Sequence, residues 1–134
     1  MRSVGWSDYD GDSLRIVQGK TGKALYLPVT KRLKSALDGV SDKRGLTILT
    51  RPNGSPMDYR YMARIMSDER KRLGLMAYDL HALRYRGVME LAWADCDDDQ
   101  IASYSGHSSK DMIRKYAGEA RQIMHARKAR EKRQ

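Results

Sequence analysis

The chain has 134 residues, a length that fits one domain able to bury a core. It carries 26 Lys and Arg against 17 Asp and Glu, a formal charge of +9, so nucleic acid is the natural partner, set against the plain alternative of a protein that is merely basic. The single cysteine, Cys96, excludes an internal disulfide, and no apolar run approaches the roughly 20 residues of a membrane span or the shape of a signal peptide, so a cytoplasmic protein without membrane contact is expected.

Ser13 to Gln18 alternates, with Leu14, Ile16 and Gln18 on one face and Arg15 and Val17 on the other, and Leu25 to Val29 alternates likewise. Gly19 to Lys23 supplies the glycines of a tight connection, so residues 13–29 read as a β-hairpin with Lys20 and Lys23 at its tip. Pro28 favours an edge strand. Taken alone, such lysines are ordinary solvated turn residues. Thr30 caps a helical run in which Leu33 and Leu37 lie four apart and Gly39 is the stop. Leu46 to Thr50 predicts a short third strand on the hairpin, and Arg51 to Pro56 a turn whose arginine either meets a DNA backbone or is solvated. Asp58 to Leu73 is a helix with Tyr59, Met62, Ile65, Met66 and Leu73 near helical spacing opposite a charged side.

Asp79 is an N-cap for a helix over Leu80 to Ala94, with Leu83, Val88, Leu91 and Ala92 facing inward. His81 and Arg84, three residues apart near its start, project from one face. Both can reach a single phosphate, placed at the positive end of the helix dipole. Arg86, two residues beyond Arg84, points elsewhere. Asp97, Asp98 and Asp99 open a short helix through Tyr104, anchored by Ile101; consecutive carboxylates there either ligate a metal or, as is commoner, stabilise the helix N-terminus. Gly106 ends that helix, Ser108 or Ser109 caps the next, and Met112, Ile113 and Tyr116 follow at helical spacing. Tyr116 stands nine residues after His107. That spacing returns a phenol towards the same pocket. From Gly118 the chain is a further helical stretch with Ala120, Ile123 and Met124 along one side and a strongly basic end; His125 lies in it and is assigned no chemistry.

Other chemistries find no support. His81, His107 and His125 lack HxH or HExxH spacing, there is no GxSxG, and Cys96 lies beside carboxylates rather than the cations that activate a thiolate.

HALR at 81–84, SGHS at 105–108 and the tyrosine nine residues beyond His107 resemble the C-terminal catalytic boxes of the tyrosine recombinase, or phage integrase, family. Upstream, WSDYDGDSLRIVQGKTGKALYLPV at 6–29 resembles the family's hairpin, whose catalytic lysine falls on Lys20. A lone HxxR is a common accident, whereas four boxes in family order form a specific signal. The resemblance implies an α+β fold of the DNA breaking-rejoining type, mainly helical with a small three-stranded antiparallel sheet. Residues 1–134 would form part of one catalytic domain, comprising the hairpin at 13–29, a helical catalytic core at 58–117 and a basic C-terminal helix at 119–134. It further implies Lys20, His81, Arg84, His107 and Tyr116 as catalytic residues, and Lys20, Lys23, Arg84 and His107 as DNA contacts. No cofactor and no metal are implied. The partner is double-stranded DNA, bound as a homotetramer by the intact protein, with a monomer in isolation and nucleoid association when on DNA.

There is one departure from the family pattern. Its first catalytic arginine lies on a helix well before the lysine, a position that falls ahead of residue 1, and Arg2 is too close to Lys20 to replace it. The expectation is therefore the C-terminal part of a catalytic domain, nearly inactive by itself. Two other readings stay open: a type IB topoisomerase-like enzyme, and a DNA-binding remnant whose pocket has decayed.

Overall fold

The computed structural model describes residues 3–40, 45–107 and 109–134. The expectations concerning Arg2 and a capping Ser108 lie outside the described residues. The chain divides into two compact units, Met1–Leu73 and Gly74–Gln134.

In the first unit a 3-10 turn, Trp6–Asp8, leads into strands β1 (Ser13–Val17) and β2 (Ala24–Pro28), followed by helices α1 (Lys31–Asp38) and α2 (Tyr59–Leu73). The strands pair antiparallel with Leu14 opposite Leu27 and Ile16 opposite Leu25. That register puts apolar side chains of both strands on one face, and Leu25 is buried. At the tip, Gln18 N–H donates to Lys23 O and Gly22 N–H to Gln18 O, each at 2.9 Å. Gly22 supplies the left-handed residue that closes the loop, with φ +67°. Thr30 caps α1 as predicted, its hydroxyl accepting from Leu33 N–H. Lys34 on that helix reaches back to Gly11 O and to the carboxylates of Asp12 and Asp38, tying α1 to the turn before β1.

The predicted third strand does not form, and among the described residues the sheet has two strands. Leu46 to Thr50 instead meets the segment ahead of the 3-10 turn: Trp6 N–H donates to Leu46 O, Ile48 N–H donates to Val4 O, and Gly5 forms an isolated bridge with Thr47. Two local features stop a ladder from extending. Thr47 turns its hydroxyl onto Leu49 O, and Leu46 is 92% exposed, so its side chain provides no buried face for a strand. The Arg51 to Pro56 turn is present, closed by Arg51 N–H to Ser55 O at 2.8 Å and a bridge between Thr50 and Pro56. Arg51 pairs with Asp58 at 2.5 Å and lies over the Tyr61 ring.

The second unit is three helices around one core: α3 (Leu80–Trp93), α4 (Asp98–Ser105) and α5 (Lys110–Arg133). Val88 and Ala92 of α3, Ile101 of α4, and Ile113, Ala117 and Ala120 of α5 are all 1% exposed or less. The small alanines at the contact let the α3 and α5 backbones approach closely. Leu83, expected inward, is 63% exposed. The buried stripe of α3 runs back from Ala92 through Val88 to the half-buried Tyr85, leaving Leu83 off that line. α5 is one uninterrupted helix where a division near Gly118 was expected. A mid-helix glycine costs only about 1 kcal/mol, and the burial of Ala117 and Ala120 on either side outweighs it.

The acidic run before α4 has a structural role. Asp97 caps the helix in a reciprocal box with Gln100, Arg121 of α5 donates to Asp98 at 2.6 Å and to Cys96 O at 3.0 Å, and Lys110 pairs with Asp99 at 2.8 Å. The Arg121 hydrogen bond, reinforced by the charges of Arg121, Arg114 and Lys110, holds the Asp98 carboxyl below its ordinary 3.8. A depressed carboxyl pKa contributes stability that is present above the ordinary value and lost as pH falls through the folded one. Acidification below about pH 4 therefore lowers the thermal midpoint of the native chain more than that of Asp98→Asn, which differential scanning at a series of pH values measures.

Candidate active site

Four of the residues singled out in the sequence belong to the second unit: His81 and Arg84 on α3, Tyr116 on α5, and His107 in the turn that follows α4. Asp79 accepts from Ala82 N–H at 2.9 Å and so starts α3 where His81 and Arg84 fall in its first turns. Gly106 terminates α4 with φ +72°, a left-handed conformation that a side-chain-bearing residue adopts only with strain. This reversal carries the chain to His107. Tyr116 shares the buried side of α5 with Ile113, Ala117 and Ala120, and it packs, half-buried, against the core.

Arg84 and His107 meet directly, with Arg84 Nε donating to His107 Nε2 at 3.3 Å. The other ring nitrogen, Nδ1, lies 2.7 Å from Ser105 Oγ. Ser105 spends its own proton on Ile101 O, at 2.7 Å. Its oxygen is then free only to accept, which places the imidazole proton on Nδ1 and leaves the Nε2 lone pair facing the guanidinium. Burial, followed by the Arg84 and His81 charges, pushes the His107 pKa below 6.5. A lowered histidine pKa means that protonation is resisted in the folded state; this contribution to stability is complete above pH 6.5 and is lost as pH falls through the folded value. In the free chain the His107 ring titrates below an unperturbed histidine, and Ser105→Ala removes the bias towards the Nδ1–H form; imidazole nitrogen NMR reads both.

His81 and Tyr116 are linked through a residue that the sequence reading passed over. The His81 ring meets Tyr85 edge-on, with centroids 4.8 Å apart at 78°, and Tyr85 in turn stacks on Tyr116 at 4.1 Å and 31°. Tyr85 lies four residues after His81, so helical spacing was the signal available for it. Ser105 was likewise missed, although it sits two residues from His107 inside the SGHS box. A hydrogen bond to the Tyr116 phenol, then burial and the Tyr116 and Asp79 charges, raise the Tyr85 pKa above 10.0. Lys115 Nζ lies 5.9 Å from the centre of the Tyr116 ring. Arg86, expected to point away, pairs with Glu90 at 2.9 Å and covers the Trp93 ring.

Lys20 and Lys23 belong to the first unit, exposed on the hairpin tip. The arrangement in the second unit is a guanidinium and two imidazoles next to a pair of phenols, at the N-terminal end of α3. Such a set binds an oxyanion and moves protons near a nucleophilic oxygen.

Comparison with known proteins agrees with this fold. No curated protein matches the chain. Among solved structures, the crystal structure of XerA recombinase superposes with a TM-score of 0.77 at 19% identity, covering 93% of this chain and 50% of that one. XerH site-specific recombinase, bound to palindromic difH substrate in a post-cleavage complex, superposes with a TM-score of 0.64 at 17% identity, covering 95% of this chain and 39% of that one. The chain thus spans half the length of one of these recombinases and less of the other. Among its described residues no helix is long and apolar enough to cross a membrane. The sequence model of the phage integrase family matches residues 1–122, and with most of its length so matched the chain belongs to the phage integrase family, the tyrosine recombinases.

Proposed function

We propose that this chain is the catalytic part of a site-specific DNA recombinase or integrase that cleaves and rejoins duplex DNA through a 3′-phosphotyrosine, with Tyr116 as the nucleophile. The observation that carries the reading is the joining of Arg84 to His107 and of His81, through Tyr85, to Tyr116, within one helical unit of a family member.

The Tyr116 oxygen attacks the phosphorus, the bond to the 5′-oxygen breaks, and the phosphoryl group stays on the protein. A phenol is almost wholly protonated near neutral pH, so the attack needs a base and a cationic setting. His81, at the positive end of α3, takes the phenolic proton. Arg84 holds the non-bridging oxygens, whose charge is spread over a pentacoordinate transition state; a positioned donor of this kind is worth about 100-fold to 1000-fold. His107 binds the same phosphate. In its resting tautomer Nε2 carries a lone pair, so an arriving phosphate draws a proton onto that nitrogen and turns it into a donor. Lys20, carried on the hairpin tip, protonates the leaving 5′-oxygen, and Lys23 adds a backbone contact. Because the phosphotyrosine keeps the energy of the broken linkage, a second 5′-hydroxyl reverses the sequence and reseals the strand. Double-stranded DNA is the partner and a homotetramer on DNA is the working form, with the basic end of α5 reaching a neighbouring protomer.

The test is covalent capture on a nicked suicide substrate, with this chain and with the full-length gene product run side by side. A denaturation-resistant adduct that is lost in Tyr116→Phe supports the reading. Salt-sensitive DNA binding with no adduct from either overturns it in favour of a decayed remnant. Relaxation of supercoils without strand exchange overturns it in favour of a topoisomerase-like enzyme.

A further inference from the structure

Resting on the reading of His107 as a ligand of the scissile phosphate, we propose that Ser105 is a positioning residue that closes a latch between His107 and Arg84, and that a phosphate opens this latch only together with one proton from solvent, taken up at His107 Nε2.

The hydrogen bonds around His107 form a chain in which each proton has one place. A guanidinium donates and never accepts, so the contact from Arg84 Nε at 3.3 Å requires a lone pair on His107 Nε2. The proton of the neutral ring is then on Nδ1, which lies 2.7 Å from Ser105 Oγ. Ser105 gives its own proton to Ile101 O at 2.7 Å, one turn back on α4, and so meets the ring as an acceptor. The same oxygen lies 3.5 Å from the backbone N of His107, which donates to it. One hydroxyl thus holds both the ring and the backbone of His107 across the reversal at Gly106.

The latch determines what an incoming phosphate has to do. An oxyanion only accepts, and in the resting chain Nε2 offers it a lone pair. Two routes put a proton on Nε2: the ring gains a second proton and becomes imidazolium, or its single proton moves across from Nδ1. The second route requires the Ser105 hydroxyl to leave Ile101 O and turn onto Nδ1. The first keeps every bond on the Ser105 side in place. The groups that bear on the charge of the ring are Arg84 and His81, both from α3; α4 supplies the Ser105 hydroxyl, and among the described residues no group of α5 contributes. Arg84 and His81 resist a further positive charge on the free ring, so its protonation waits for an anion to offset it. Once Nε2 is protonated it no longer accepts from Arg84, and Nε of the guanidinium is released to the same oxyanion.

Two measurements test this. The first uses this chain with sodium sulfate, an oxyanion that does not titrate near neutral pH, and follows the imidazole nitrogens by NMR. Sulfate is expected to raise the pH at which His107 takes its second proton by about one pH unit, the equivalent of one charge-assisted hydrogen bond, with Nδ1–H retained throughout. A sulfate-bound neutral ring with its proton on Nε2 overturns the proton uptake, and an unmoved His107 overturns the latch. The second uses the full-length gene product on the nicked substrate and follows single-turnover cleavage across pH for native protein, Ser105→Ala and Ser105→Thr. Alanine removes the acceptor and frees the neutral Nε2–H form, so the loss of cleavage on the alkaline side moves up by about one pH unit, whereas threonine keeps the hydroxyl and the native profile. A side chain that served α4 alone would change the rates without moving the profile. An adduct at Tyr116 with the same pH profile in all three proteins overturns this inference and leaves the phosphotyrosine reading standing. No adduct in the native protein overturns both.

Discussion

Tyr116→Phe abolishes the covalent protein–DNA adduct while leaving DNA binding and the thermal midpoint close to those of the native chain. In the proposed mechanism the Tyr116 phenol oxygen forms the bond to phosphorus, and the pKa of the adjacent phenol, Tyr85, is raised above the ordinary 10.0, which keeps it from taking that place. Removing a nucleophile that works as one unit with its base typically costs on the order of 10⁶-fold, below what a gel-resolved adduct detects. Packing changes little because Phe keeps the ring that stacks on Tyr85 and contacts the core. The measurement is adduct yield after denaturation, alongside melting and salt-dependent binding. A variant that still forms the adduct identifies another side chain as the nucleophile.

Ile101→Ala has the largest expected effect on stability. Ile101 is fully buried where α4 packs against both α3 and α5, in a core with few large side chains. Truncating such an isoleucine costs about 2–5 kcal/mol, through lost burial and the cavity left behind. Small domains are stable by only roughly 5–15 kcal/mol, so much of the second unit's stability goes with it. The same residue is tied to the site by its backbone, because Ile101 O accepts the Ser105 hydroxyl that orients His107. Slackening of α4 therefore loosens the imidazole as well as the core. Chemical denaturation monitored by helix content checks the first effect, and the His107 tautomer by NMR checks the second.

Helix boundaries were legible from local chemistry. Thr30, Asp79 and Asp97 stand where their side chains accept from the first turn of α1, α3 and α4, and Gly106 supplies the left-handed stop. Each is an interaction within a few residues, so single-sequence reasoning reaches it. The spacing of His81, Arg84, His107 and Tyr116 was equally legible, since three of the four ride on helices whose ends were already determined. Leu46 to Thr50 shows the limit. Its short run of Leu, Thr and Ile reads as a strand, but strand formation depends on a partner edge, and the edge it finds is the bridge at Gly5 rather than β1 or β2.

The sequence by itself determined the basic character, the helix limits, the hairpin and the order of the catalytic boxes, because charge, capping and periodicity are properties of neighbouring residues. Only the tertiary structure decided which residues surround the proposed nucleophile. Tyr85 matters because α3 lies against α5, and Ser105 because the turn at Gly106 folds His107 back onto it. Contacts between helices are set by which faces bury together, so the stacked pair of phenols and the tautomer of His107 became visible only once the three helices of the second unit had closed on Ile101, Ile113 and Val88.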